Sequence, residues 1–82
     1  MKTIVEISKK QSRDAEIAIF CNPMLRNGLV QSASNVWEYE PDLDMEIEED
    51  REQYDDFVEE LKMILDLAYI DEYEITKVDA KD

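Results

Sequence analysis

Tyr54, Phe57, Val58, Leu61, Ile64, Leu65, Ala68 and Tyr69 recur at steps of three and four residues, the period of one helix face. A helix of this kind holds in water only when its apolar stripe is covered by other structure. The cover has to come from a short chain. With 82 residues, residues 1–82 form a single domain, which buries roughly 60% of the surface its unfolded chain exposes. The remaining apolar segments read as strands, so a sheet under the helix is the smallest cover available.

The strand candidates follow from alternation. Thr3 to Ser8 places Thr3, Val5 and Ile7 on one face. Ala15 to Cys21 places Ala15, Ile17, Ile19 and Cys21 on one face and Ala18 and Phe20 on the other, with Gln11-Ser12-Arg13-Asp14 as the hairpin connection. Asn22-Pro23 ends this second strand, because proline and the residue before it interrupt a ladder. Asn27-Gly28, holding the only glycine, is the strongest turn signal. Residues 29–37 fit either a strand with a bulge or an ordered loop. Glu72 to Asp79 reads as a last strand carrying Tyr73, Ile75 and Val78, reached through a turn at Ile70-Asp71. The expected fold is α+β: a small antiparallel sheet of three to four strands with one long amphipathic helix packed on it, in the order β-β-(β)-β-α-β.

Charge is distributed unevenly along this frame. The chain has 22 acidic and 9 basic side chains, a net charge of −13. Residues 1–37 carry +2, residues 38–60 carry −12 and residues 61–82 carry −3. Glu38, Glu40, Asp42, Asp44, Glu46 and Glu48 occupy successive even positions, against Tyr39, Pro41, Leu43, Met45 and Ile47 at the odd ones. Period two predicts an extended segment with its carboxylates on one side, about 6.8 Å apart. Pro41 makes that segment an edge strand or a bent arm. In the helix that follows, Glu49, Asp50 and Glu52 complement the N-terminal dipole, and Glu52, Asp55, Asp56, Glu59 and Asp66 fall opposite the apolar stripe. Beyond Leu61 the polar face fails: Met63, Leu67 and Ile70 point with the acids, a stripe that a loop of the chain or a second subunit would cover.

Composition removes whole classes of function. A charge of −13 excludes a phosphate backbone or an anionic membrane as a direct partner and favours proteins with basic surfaces. A hydrophobic content of 44% is too high for a chain held disordered by its charge. No apolar run approaches the roughly 18 residues of a membrane span, and Glu6 breaks the apolar stretch that a signal peptide needs. A cytoplasmic location follows, that of the host if the chain is phage-encoded. There is no histidine, and a lone Cys21 at the end of an apolar run reads as a buried, inert thiol, so catalysis and Cys/His zinc sites are not expected. Asp42-Leu43-Asp44-Met45-Glu46 imitates the opening of a calcium loop. The sixth and twelfth positions are Ile47 and Gln53, or Glu49 and Asp55 counted from Asp44, where Gly and Glu are required. No cofactor or metal is expected. No serine has the Asp-Ser-Leu context of an acyl carrier protein.

The remaining candidate site is the acidic block itself: Glu38, Glu40, Asp42, Asp44, Glu46, Glu48, Glu49, Glu52, Asp55, Asp56 and Glu59. Its plainest reading is a solvated face. Regular carboxylates on a near-neutral base also suit a channel of Lys and Arg built for nucleic acid. In its size, its Glu38–Glu48 alternation and its acidic helix, the chain resembles the small acidic inhibitors of phages and mobile elements, anti-CRISPR proteins and other DNA mimics. That resemblance implies a non-catalytic inhibitor of a nucleic-acid-processing enzyme such as a CRISPR-Cas effector. The alternative is an immunity protein or antitoxin, or a small dimeric adaptor, binding a basic protein partner. Met63, Leu67 and Ile70 are the expected homodimer contact. Trp37 and Tyr39, beside the first acids, fit either an interface anchor or the core, and Tyr54 fits the core.

Overall fold

In the computed structural model, which describes residues 2–78, the chain runs β1 (Lys2–Ile7), α1 (Ser12–Phe20), α2 (Pro23–Gly28), β2 (Leu29–Ala33), β3 (Val36–Tyr39), α3 (Glu48–Leu67) and β4 (Tyr73–Val78). The strands form one antiparallel sheet in the order β2-β3-β1-β4. The expected class holds: an α+β chain whose four-stranded antiparallel sheet carries the long helix. Thr3, Val5 and Ile7 of β1 face the helices and are buried, and Phe57, Leu61 and Leu65 of α3 meet them with Trp37 and Tyr39. Among the described residues no helix covers the opposite face of the sheet, and Lys2, Glu6 and Val30 are exposed there.

The order of elements differs from the expected β-β-(β)-β-α-β. The second strand, read over Ala15–Cys21, is instead α1. Ala15-Glu16-Ile17-Ala18-Ile19 satisfies both periods, because its apolar residues fall two apart and also four apart. Two alanines and a glutamate favour the helix, and burial follows the helical step: Ala15 and Ile19 are inside while Ile17 and Phe20 are outside. β1 finds its neighbours in β3 and β4 and needs no hairpin at Gln11–Asp14.

Asn22-Pro23 does not end a strand; it starts α2. The Asn22 carboxamide oxygen accepts from the Leu25 N–H at 3.1 Å, and Pro23 occupies the first turn, where its missing N–H costs nothing. Gly28 closes α2 and makes no hairpin turn. Its requirement is space: a Cβ there would lie 2.7 Å from Cε1 of Tyr39. That ring in turn stacks on Phe57, centroids 3.8 Å apart and planes within 16°. Residues 29–37 resolve as a hairpin with a bulge between Gln31 and Ala33. Asn35 in its turn bonds β1 twice, donating from Nδ2 to the Ile7 carbonyl (3.0 Å) and accepting at its own carbonyl from the Ile7 N–H (2.9 Å).

The expected extended strand over residues 38–48 stops at Tyr39. β3 is an inner strand of the sheet, where a proline would break a ladder, and Pro41 lies just past its end. Alternation survives as burial without a ladder. Leu43 is buried and Met45 packs against the core, while Glu40, Asp42, Asp44 and Glu46 are exposed. It lapses at Ile47, which is half exposed.

α3 matches its expected span and face, with three acids in the first turn. Its C-terminus corrects two assignments. Tyr69 is 90% exposed rather than part of the buried stripe, and its φ is 61°. The Ile70 N–H reaches the Leu65 carbonyl (2.8 Å) and the Tyr69 N–H reaches that of Asp66 (3.0 Å), the paired bonds of a Schellman cap. This reversal carries Ile70 into the core at 3% exposure. The left-handed position belongs to glycine, and a tyrosine there costs about 1 kcal/mol. Tyr69→Gly is therefore expected to stabilise the fold by about 1 kcal/mol in urea denaturation; an unchanged or lower midpoint would refute the strain. Gln11 then fastens the α3–β4 connection, its Oε1 accepting from the N–H groups of Asp71 and Glu72 at 3.1 and 3.0 Å. β4 follows where the last strand was expected; Asp79 lies outside the described residues.

Candidate interaction surface

Glu48, Glu49, Glu52, Asp55, Asp56 and Glu59 all stand exposed on α3, because Phe57, Leu61 and Leu65 commit the other side of the helix to the sheet. Their steps of three and four residues keep them together over three turns. At 1.5 Å per residue the row from Glu48 to Glu59 is about 16 Å long, or about one carboxylate per 3 Å. Nothing basic but Arg51 interrupts this part of the helix.

The segment before α3 continues the surface but is itself structured. The Asp44 carboxylate accepts from the Glu46 N–H at 2.9 Å, an Asx turn. The Asp50 carboxylate accepts from the Asp44 N–H at 2.9 Å, tying the first turn of α3 back to the loop. Asp44 and Asp50 thus shape the loop, whereas Glu46 exposes its side chain without such a duty. Asp42 is exposed.

Two of the candidate residues lie apart from this row. Glu38 sits on β3 between inward Trp37 and Tyr39, so it points to the helix-free face of the sheet, with Lys2 Nζ 3.8 Å away. Glu40, with Lys2, Val30 and Glu38, lines a shallow depression beside the sheet edge. The structure therefore gathers the carboxylates from Asp42 to Glu59 and leaves Glu38 and Glu40 at a margin. Glu60 is half-buried and accepts from Asn22 Nδ2 at 2.8 Å, bracing α2 against α3.

The aromatic residues resolve toward packing. Trp37 and Tyr39 are buried, and the Tyr39 hydroxyl accepts from Gln53 Nε2 at 3.2 Å. Tyr54 is half-buried beneath the Lys77 ammonium, 5.2 Å from its ring centroid. Burial first, and then the Asp55 carboxylate, raise its phenol above the usual tyrosine value. The exposed apolar residues are found elsewhere. Met63 and Leu67 continue the acidic face of α3 by one and two turns, while Ile70, expected with them, belongs to the core. Ile17, Phe20 and Met24 form a second exposed group around α1 and α2. Reading Ala15–Cys21 as a strand hid that group; the steps of three and four residues from Ile17 were the available signal.

Cys21 is exposed at the end of α1, not buried as its apolar run implied, because the helix turns it outward. The native protein is expected to react with a thiol reagent at the rate of a free model thiol; protection until denaturation would contradict this placement. Among the described residues, no group of three or more His, Cys, Asp or Glu side chains converges to hold a metal ion, and no helix is long and apolar enough to cross a membrane. The chain matches no protein-family model, no curated protein and no solved structure.

Proposed function

We propose that the chain is a non-catalytic inhibitor that occupies the nucleic-acid groove of a DNA- or RNA-processing enzyme, a CRISPR-Cas effector being the type of target. The observation that carries this reading is charge density on a rigid support. The α3 row offers about one carboxylate per 3 Å, against about one phosphate per 3.4 Å along a strand of duplex DNA. A groove of Lys and Arg spaced for phosphates meets the same linear charge here, without a backbone for an enzyme to cut. The charge is also one-sided, −12 in residues 38–60 against +2 in residues 1–37, so long-range attraction orients the molecule before contact. Met63 and Leu67, at the end of the row, add an apolar contact that nucleic acid lacks.

Immobilised protein incubated with a bacterial lysate is expected to retain a basic nucleic-acid-binding enzyme, and added duplex DNA or RNA is expected to release it. Retention should fall as salt rises. A retained partner that nucleic acid does not displace would overturn mimicry and assign the same surface to a basic toxin or adaptor target.

A further inference from the structure

The two edges of the sheet are unlike. β4 carries Glu74 and Lys77, the charged side chains that keep an edge from pairing with a stranger. β2 reads Leu29-Val30-Gln31-Ser32-Ala33, with no charge and no proline, in a chain where 38% of residues are charged. Among the described residues, its open side is free at Gln31 and at the Leu29 carbonyl. The Glu40 N–H bonds the Gly28 carbonyl at 2.7 Å, and Val30 pairs with Glu38 two residues on, so Gly28 and Val30 turn their backbone groups toward β3. Gln31 and the Leu29 carbonyl then turn to the free edge, ahead of the bulge, while the Leu29 N–H is taken by the Leu25 carbonyl at the end of α2.

The surroundings of that edge are apolar and carry reciprocal charge. Val30 is half exposed on the helix-free face. On the other face a groove runs beside β2, lined by Glu16, Ile19, Phe20, Arg26, Leu29 and Trp37. Its ends differ in sign. Glu16 stands beside Gln31, accepting from its Nε2 at 3.0 Å. Arg26 stands toward Leu29, its guanidinium 5.6 Å from the centre of the exposed Phe20 ring.

We propose that β2 is a homodimer interface, pairing antiparallel with β2 of a second copy and joining the two sheets edge to edge. With Val30 opposite Val30 on the two-fold axis, the Gln31 N–H of each copy donates to the Leu29 carbonyl of the other, the Leu29 N–H staying on the Leu25 carbonyl of its own α2. The same register brings the Arg26 end of one groove to the Glu16 end of the other, so each charge meets its opposite twice by symmetry. Two copies of a chain at −13 repel, and pairing through β2 keeps their α3 rows out of the contact, with Lys2 set 3.8 Å from Glu38 to offset part of the charge of Glu38 and Glu40 beside Val30. An acidic peptide or nucleic acid finds no such paired charges here. The α3 row stays outward in both copies, so this pairing stands independently of the inhibitor reading.

Light scattering of the intact chain is expected to give twice the 9.7 kDa mass of one chain. Val30→Lys places like charges side by side on the axis, and should raise the dissociation constant at least about tenfold with an unchanged far-UV spectrum. Arg26→Glu should weaken the dimer and Glu16→Arg with Arg26→Glu should restore it. Val30→Cys in a Cys21→Ser background should form a disulfide-linked dimer under mild oxidation. A monomer at the highest soluble concentration overturns the proposal, as does a dimer dissolved by Met63→Glu with Leu67→Glu but indifferent to Val30→Lys.

Discussion

Replacing Glu46, Glu48, Glu52, Asp55 and Glu59 together by lysine is expected to abolish binding to the target while leaving the fold in place. These five side chains are exposed, and none serves the hydrogen bonds that shape the loop. Asp44 and Asp50 are left intact for that reason. The helix should tolerate the change. Lysines at positions 52 and 59 each gain Asp56 as an acidic neighbour one turn away, and the crowding of like charges along the row is relieved. Lysine at position 48 opposes the helix dipole, a cost of about 0.5 kcal/mol that thermal melting should register. Against a groove of Lys and Arg, each reversal replaces attraction by repulsion, and like charges across an interface cost several kcal/mol in sum. A loss of at least about 100-fold in affinity is the expected reading, equivalent to about 2.7 kcal/mol. Glutamine at the same positions should fall between, with most of its effect in the association rate. A folded quintuple variant that still binds at full strength would remove this surface from the mechanism.

Phe57→Ala is expected to remove most of the stability of the fold. Phe57 is fully buried, and its ring supports that of Tyr39 at 3.8 Å. Truncating a buried phenylalanine costs about 3–5 kcal/mol, in a domain whose total is about 5–10 kcal/mol. Gly28→Ala acts on the same stack from the other side. Its new methyl would press the Tyr39 ring, which Phe57 prevents from retreating, and overpacking of this kind costs about 1–3 kcal/mol. The double variant should be less destabilised than the sum, because the space left by Phe57 accepts the displaced ring. Urea denaturation of the four proteins measures the coupling. Strict additivity, or a loss below about 1 kcal/mol for Phe57→Ala, would show that the stack does not bear on stability.

Among the elements, α3, β1 and β4 were legible because length or residue type sides with one period in each. The steps of three and four residues in α3 run over more turns than a strand could hold, and Thr3, Ile4, Val5 and Ile7 are all β-branched and favour a strand. Ala15–Ile19 fits both, and locally only the weak helix preference of two alanines and a glutamate separates them. The arbiter is β1, whose two edges are taken by β3 and β4, strands distant in sequence. Asn22-Pro23 has the same ambiguity, since the pair that ends a strand is also the pair that begins a helix. The carboxylates were legible as exposed residues, but their grouping was not. Glu38 differs from Glu48 only in lying before Pro41, and it ends on the far face of the sheet.

Charge, the amphipathic helix and the burial of alternate residues from Tyr39 to Met45 were determined by the sequence alone, because each rests on neighbours within a turn or a pleat. Three outcomes belong to the tertiary structure. The Schellman cap at Tyr69 took Ile70 from an outward stripe into the core. The Tyr39–Phe57 stack turned the only glycine from a turn residue into a packing requirement. The strand order left an uncharged β2 at an edge. In each case the deciding contact joins residues that the chain brings together only on folding, where the volume and pairing of a distant partner outweigh local preference.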